Sequence, residues 1–290
     1  MFEGTYVAMV TDFKDGKVNL DGVQRLARRL IDGGASGLVP AGCTGEAATL
    51  TPSERLAVIK AVLEARGSAR EVKVVPGTGT NSTASTLELT RMAEDAGVDG
   101  VLLITPYYNK PTQAGLMKHY ETVARSTRLP IMLYNVPGRT GVNMLPETVA
   151  ELAAIENIVA VKEASGSVDQ VSRIAATADI EILSGDDSLT LPMLAVGARG
   201  VVSVAANVAP DKVAAMVAAF LGGRTDEARE THLGLMDLFH VLFIESNPGP
   251  VKAALEIMGE STGELRLPLV PVSAATRDKI KKVLDHLKLV

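Results

Sequence analysis

The chain has one cysteine, no tryptophan, four histidines, five tyrosines and five phenylalanines in 290 residues. A single cysteine, Cys43, excludes an internal disulfide and dithiol redox chemistry, and it fits a reducing compartment. With so little His and Cys there is scant material for a zinc site. The scarcity of aromatics argues against a stacking platform for single-stranded nucleic acid. An excess of positive charge is also missing. Against 34 Asp+Glu stand 29 Lys+Arg, a formal net charge of −5, so neither nucleic acid nor an anionic membrane is an expected partner. The longest apolar region, 200–221, is interrupted by Asn207, Pro210, Asp211 and Lys212, which reads as strand, turn and helix rather than a membrane span. The start, Met1-Phe2-Glu3-Gly4, lacks the basic and apolar stretches of a secretory signal. The expected location is cytoplasmic.

What is present is a large apolar fraction, 47%, with 22% charged residues. That balance excludes disorder and supplies a sizeable core. Short β-branched runs predict eight strands, at 5–10, 37–41, 72–76, 100–104, 130–134, 158–162, 180–183 and 200–204. Their spacing leaves room each time for one helix and two short loops. Between them apolar residues return every three or four positions, as in Leu26, Leu30, Ile31 and in Leu56, Ile59, Val62, Leu63, the helical period. Thr51-Pro52-Ser53-Glu54 is a capping box with proline at the first helical position. A small motif recurs in Gly34-Ala35-Ser36-Gly37-Leu38, Gly97-Val98-Asp99-Gly100-Val101 and Gly197-Ala198-Arg199-Gly200-Val201. Its first glycine is expected to end a helix in a left-handed cap, and its second to turn the chain tightly into a strand.

Eight alternations predict an α/β fold, a (β/α)8 TIM barrel over residues 1–222. A doubly wound sheet is the alternative, but no G-x-G-x-x-G follows the first strand. Helices are expected at 210–221, 224–243, 248–259 and 273–288. The first completes the barrel and the others form a C-terminal helical extension, 223–290, packed on it.

Barrel enzymes carry their chemistry at the C-terminal ends of the strands. There the sequence places Cys43 and Thr44, Tyr107 and Tyr108, Tyr134 and Arg139, Lys162, and Gly185 with Asp186 and Asp187. Lys162 ends the sixth strand, where strict alternation groups it with Ile158 and Ala160 on one face. Desolvation at a barrel mouth depresses a lysine pKa and leaves the neutral amine that an imine-forming nucleophile needs. The alternative is a structural ion pair with Glu163. Tyr134 ends the adjacent fifth strand, near enough to move protons for that amine, or it is a core tyrosine. Arg139 is placed to hold a carboxylate, or it is a surface arginine. The glycine-flanked Cys43-Thr44 offers N–H groups and a hydroxyl to a second carboxylate or to a phosphate. A catalytic metal is not expected. His119, His232, His240 and His286 all fall in predicted helices, and the Asp186-Asp187 pair reads as the start of a helix more readily than as a Mg²⁺ site.

Three motifs, Gly42-Cys43-Thr44-Gly45-Glu46, Tyr134-Asn135-Val136-Pro137-Gly138-Arg139-Thr140-Gly141 and Val161-Lys162-Glu163-Ala164, resemble those of the pyruvate-dependent class I aldolases and lyases, the dihydrodipicolinate synthase and N-acetylneuraminate lyase family. The likeness runs from about Val7 to the C-terminus. The stretches Thr105–Pro111, Leu183–Asp187 and Asn247-Pro248-Gly249-Pro250-Val251-Lys252 are most similar to its synthase branch, which condenses pyruvate with aspartate 4-semialdehyde in lysine and diaminopimelate synthesis. The resemblance implies that Lys162 forms an imine with pyruvate and needs no other cofactor. It implies that Tyr134 relays protons and that Thr44, with Gly185 and Val202, holds pyruvate. Arg139 would grip the carboxylate of the acceptor aldehyde, a contact that distinguishes the synthase from sibling lyases acting on 2-oxo sugar acids. Tyr108 would complete the relay from a neighbouring subunit, in a homotetramer built as a dimer of dimers. A catalytically silent barrel is disfavoured by the joint presence of Lys162, Tyr134 and Arg139.

Two departures from the family pattern stand out. Cys43 occupies the place of a relay threonine, and a thiol makes weaker and longer hydrogen bonds. At the pocket where many synthases bind lysine, Asn81 and Tyr107 match, but Ser85 replaces an acid, and Pro52 and Arg55 replace polar or aromatic contacts. Inhibition by lysine is therefore expected to be weak or absent in a steady-state assay, and a micromolar inhibition constant contradicts this.

Overall fold

The structure, a computed structural model, describes residues 2–290; Met1, where the expected barrel region begins, lies outside them. Eight parallel strands form its centre: β1 (Gly4–Ala8), β2 (Gly37–Val39), β3 (Lys73–Val74), β4 (Val101–Ile104), β5 (Ile131–Asn135), β6 (Ile158–Glu163), β7 (Glu181–Ser184) and β8 (Gly200–Ser203). The ladder runs β3-β2-β1-β8-β7-β6-β5-β4. A parallel bridge from Gly77 to Leu102 joins its two ends, with Leu102 N–H donating to Pro76 O at 2.9 Å and Thr78 N–H to Leu102 O at 3.0 Å. The sheet thus closes on itself. β3 is shorter than the expected 72–76, because Pro76 has no N–H to extend the ladder.

Helices α1 (Leu20–Asp32), α2 (Pro52–Arg66), α3 (Thr83–Asp95), α4 (Gln113–Ala124), α5 (Pro146–Ala153), α6 (Val168–Thr177), α7 (Thr190–Ala195) and α8 (Pro210–Leu221) follow the eight strands in turn. The capping box of α2 forms as its sequence requires, Thr51 and Glu54 each accepting from the other's backbone N–H. The strands are buried on both faces. Tyr6, Leu102, Met132, Ala160, Leu183 and Val202 fill the barrel interior, while Val7, Leu103, Leu133, Val161, Ile182 and Val201 pack outward against the helices. Barrel strands of this kind read as continuous apolar runs for that reason.

Two details depart from the sequence reading. Ile158 packs in the outer layer, not with Ala160. The register against β5 steps from Ile131↔Ile158 to Met132↔Ala160, so Val159 is an extra residue, and such a bulge resets which side chains face inward. Alternation is regular beyond it, and Lys162 keeps its inward place. The first glycines of the repeated motif do adopt positive φ, at 87°, 80° and 113° for Gly34, Gly97 and Gly197. The second glycines do not turn the chain. They make room: a Cβ on Gly37 would enter the Tyr6 ring, one on Gly100 would meet Pro130 O and Phe2, and one on Gly200 the backbone of Gly4.

Beyond the barrel lie α9 (Thr225–Gly234), α10 (Met236–Val241), α11 (Gly249–Ile257) and α12 (Ala274–His286). The single helix expected at 224–243 is two. Gly234 ends the first, and Leu235, at φ −97° and ψ −3°, redirects the chain so that Leu235, Leu238 and Phe239 are all buried. Every residue of α11 from Gly249 to Leu255 is buried. Among the described residues no helix is long and apolar enough to cross a membrane.

Candidate active site

Tyr134 and Lys162 are partners in the β5–β6 register, so the sheet itself sets their side chains next to each other at the barrel mouth. Lys162 is 5% exposed, and its Nζ lies 4.2 Å from the centroid of the Tyr134 ring. Among the described residues it makes no ion pair. Glu163 points the other way, accepting from Asn135 Nδ2 at 3.0 Å, from Ser165 N–H at 2.8 Å and from Gln170 Nε2 at 3.1 Å, so the structural ion pair considered from sequence does not form. Removal from water pushes the Lys162 amine down to about 8, against the opposing pull of Cys43, Asp186 and Asp187 and with the help of the Arg139 charge. The Tyr134 phenol is pushed well above its ordinary value, mainly by burial and then by the nearby Cys43 thiol. The pair at neutral pH is a protonated phenol beside an amine with a sizeable neutral fraction.

The loop after β2 supplies a third wall. Glu46 N–H donates to Cys43 O at 3.1 Å and Ala47 N–H to Gly42 O at 3.2 Å, while Thr11 Oγ1 donates to Gly45 O at 2.7 Å. Among the described residues the N–H groups of Cys43 and Thr44 have no acceptor. Two successive free N–H groups in a tight turn form a concavity suited to an anion. Thr44 is buried, and its Oγ1 accepts from Asn247 Nδ2 at 2.9 Å. Arg139 stands on the one-turn helix Pro137–Thr140 after β5. It is exposed, and its Nη2 donates to Asn247 O at 3.1 Å.

A cavity of about 400 Å³ opens over these groups, walled by Cys43, Tyr134, Arg139, Asn247, Arg55 and Tyr107 among others. Lys162 is not on its wall; its amine lies against the ring of Tyr134, which is. Val202 lies deeper, in the barrel interior. Asp187 accepts from Val204 and Ala205 N–H, both at 3.0 Å, and from Ser203 Oγ. It is thereby spent on the turn that follows β8. No group of three or more His, Cys, Asp or Glu able to hold a metal occurs among the described residues. Tyr108 stands outside the cluster, 89% exposed on backbone at φ 72°.

Two features were not picked out as site residues from sequence. Asn247 touches both Thr44 and Arg139. Glu46 and Lys252 form an ion pair at 2.6 Å with both side chains fully buried, and the Lys252 Nζ also lies 4.3 Å from the Phe13 ring centroid. All three residues belong to motifs quoted above for their likeness to a family, yet no local pattern shows that the two motifs meet.

Gly185 gives a direct test of the site's tolerance. A Cβ there would stand 2.6 Å from Ala164 Cβ and 3.0 Å from Lys162 Cε. Gly185→Ala is expected to lower the rate at which an aldehyde probe and borohydride label Lys162 by roughly tenfold to a hundredfold, as a displaced reacting group does. Labelling at the unaltered rate contradicts this geometry.

The family model described as the dihydrodipicolinate synthetase family matches residues 1–287. The 4-hydroxy-tetrahydrodipicolinate synthase of Geobacter metallireducens is 49% identical over 292 residues, covering 100% of both chains. The enzyme of that name from Methanothrix thermoacetophila is 51% identical over 291 residues, covering 99% of this chain and 97% of its own. Among solved structures, the dihydrodipicolinate synthase of Thermotoga maritima superposes with a TM-score of 0.98 at 44% identity, with 100% of each chain covered. On the full-length match and on this likeness in both sequence and fold, the chain belongs to the dihydrodipicolinate synthetase family.

Proposed function

We propose that the chain catalyses the 4-hydroxy-tetrahydrodipicolinate synthase reaction, the Schiff-base condensation of pyruvate with L-aspartate 4-semialdehyde that commits carbon to diaminopimelate and lysine. The observation that carries the chemistry is a buried lysine with no carboxylate partner among the described residues, set by strand register against a tyrosine. The full-length relatives of that name supply the acceptor.

In this reading the neutral Lys162 amine attacks the C2 carbonyl of pyruvate. The carbinolamine loses water to give a protonated imine, and loss of a proton from C3 leaves a nucleophilic enamine. The enamine carbon then bonds to the aldehyde carbon of the acceptor, whose oxygen takes up a proton. Tyr134, protonated and adjacent, is the group that gives and takes these protons, with the Cys43 thiol next in the relay. The pyruvate carboxylate sits against the Cys43 and Thr44 N–H groups and the Thr44 hydroxyl, with Gly185 and Val202 shaping the pocket around the reacting carbons. Arg139 takes the acceptor carboxylate. An exposed guanidinium at the mouth favours an anionic acceptor over the neutral polyol chain used by the sugar-acid siblings. The imine itself serves as electron sink, so the mechanism calls for no further cofactor.

The exposure of Tyr108 supports its assignment to a neighbouring subunit's site and, with it, a homo-oligomer, by family likeness a tetramer assembled as a dimer of dimers. A cytoplasmic location fits the substrates. We likewise read 1–222 as the barrel region carrying the site and 223–290 as an extension packed on it.

Incubation with pyruvate, reduction with borohydride and peptide mapping test this directly. The expected result is a single reduced pyruvate adduct on Lys162, absent from Lys162→Ala, together with turnover of aspartate semialdehyde far above that of N-acetylmannosamine. Absence of the Lys162 adduct, or preference for the sugar aldehyde, contradicts it.

A further inference from the structure

We propose that Asn247, from the C-terminal extension, is a positioning residue of the pyruvate pocket: its side-chain amide holds the Thr44 hydroxyl as a donor toward the pyruvate carboxylate. The inference rests on the reading above that Thr44 meets pyruvate. A threonine hydroxyl has one hydrogen and two lone pairs. Asn247 Nδ2 donates to Thr44 Oγ1 at 2.9 Å, a buried contact, so the hydroxyl hydrogen must point elsewhere. It has no acceptor among the described residues. It therefore stands available beside the two free N–H groups of the same turn, and three donors face one anion.

The position of Asn247 is itself fixed from two sides. Its carbonyl accepts from Arg139 Nη2 at 3.1 Å. Five residues on, Lys252 bonds Glu46 at 2.6 Å in a fully buried pair. The segment 247–252 thus grips the loop 42–46 at two points, Thr44 and Glu46. Loss of either partner of a buried ion pair leaves an uncompensated charge, so the segment and the loop are held together. Glu46 adopts φ 54°, so the loop is held in a backbone state that a non-glycine residue seldom adopts unaided.

The test is steady-state kinetics on Asn247→Asp, with thermal melting as a control. An aspartate can only accept from Thr44, which draws the hydroxyl hydrogen away from pyruvate. The Arg139 contact, made by the backbone carbonyl, is kept. The expected result is a rise in the KM for pyruvate of about tenfold or more, the scale of one lost charge-assisted hydrogen bond, with the KM for aspartate semialdehyde changed by less than about threefold. An unchanged pyruvate KM overturns the proposal, since it means that Thr44 donates to Asn247 rather than the reverse. A rise shared by both substrates, or a loss confined to thermal stability, overturns it as well. Should Asn247→Asp not fold, Asn247→Ala carries the same comparison, with a selective rise in pyruvate KM expected and its absence decisive. Failure of the underlying reading is distinguishable: the wild-type protein would then form no pyruvate adduct on Lys162, or Thr44→Val would leave pyruvate KM unaltered.

Discussion

The chemistry we propose for this protein depends on keeping one lysine out of water. An ordinary lysine is almost wholly protonated at neutral pH, and an ammonium is no nucleophile. Lys162 is buried near the C-terminal mouth of a closed parallel barrel, and the fall of its pKa from 10.5 to about 8 corresponds to a bias of on the order of 3 kcal/mol against the charged form. The rest of the site respects that bias. Glu163, the nearest carboxylate in sequence, is turned away and held by Asn135, Ser165 and Gln170, and Asp187 is occupied by the turn after β8. Either acid placed against the amine would restore its charge. The aromatic face of Tyr134 does contact it, but a neutral phenol stabilises an ammonium far less than a carboxylate does.

A second constraint joins distant parts of the chain. The loop that offers free N–H groups to an anion is short and strained, with φ 53° at Ala41 and 54° at Glu46. It is fastened from the C-terminal extension by Lys252 on Glu46 and by Asn247 on Thr44, while Arg266 N–H donates to the second Glu46 oxygen at 3.0 Å. The barrel alone therefore does not complete the pocket. Ser246, Asn247, Pro248, Pro268 and Leu269, in the segments on either side of α11, carry part of its wall.

Much of this was legible in the sequence, for reasons that differ by element. Strands buried on both faces announce themselves as β-branched runs, and glycines at 34, 97 and 197 mark helix ends because only glycine is at ease with positive φ. Lys162 was placed correctly because period-two alternation is regular from Ala160 onward. Ile158 was not, because a bulge leaves no trace in the pattern of apolar residues. The role of Gly37, Gly100 and Gly200 was misread because it depends on what lies opposite, the Tyr6 ring, Phe2 and Gly4. The possible Lys162–Glu163 pair could have been set aside from sequence alone, since neighbours on a strand face opposite sides. The contacts of Asn247 and Lys252 span 203 and 206 residues, and no local period reaches that far. Their motif was visible, but its meeting with the loop 42–46 was not.

Burial, as the largest influence on it, holds the Lys162 amine well below an ordinary lysine. The most direct measurement is a pH titration of the Lys162 ε-position by NMR in selectively labelled protein without substrate, with Lys162→Ala used to assign the signal. The expected midpoint is near 8, more than two pH units below the exposed lysines. A midpoint near 10.5 would show an ordinary ammonium and contradict it.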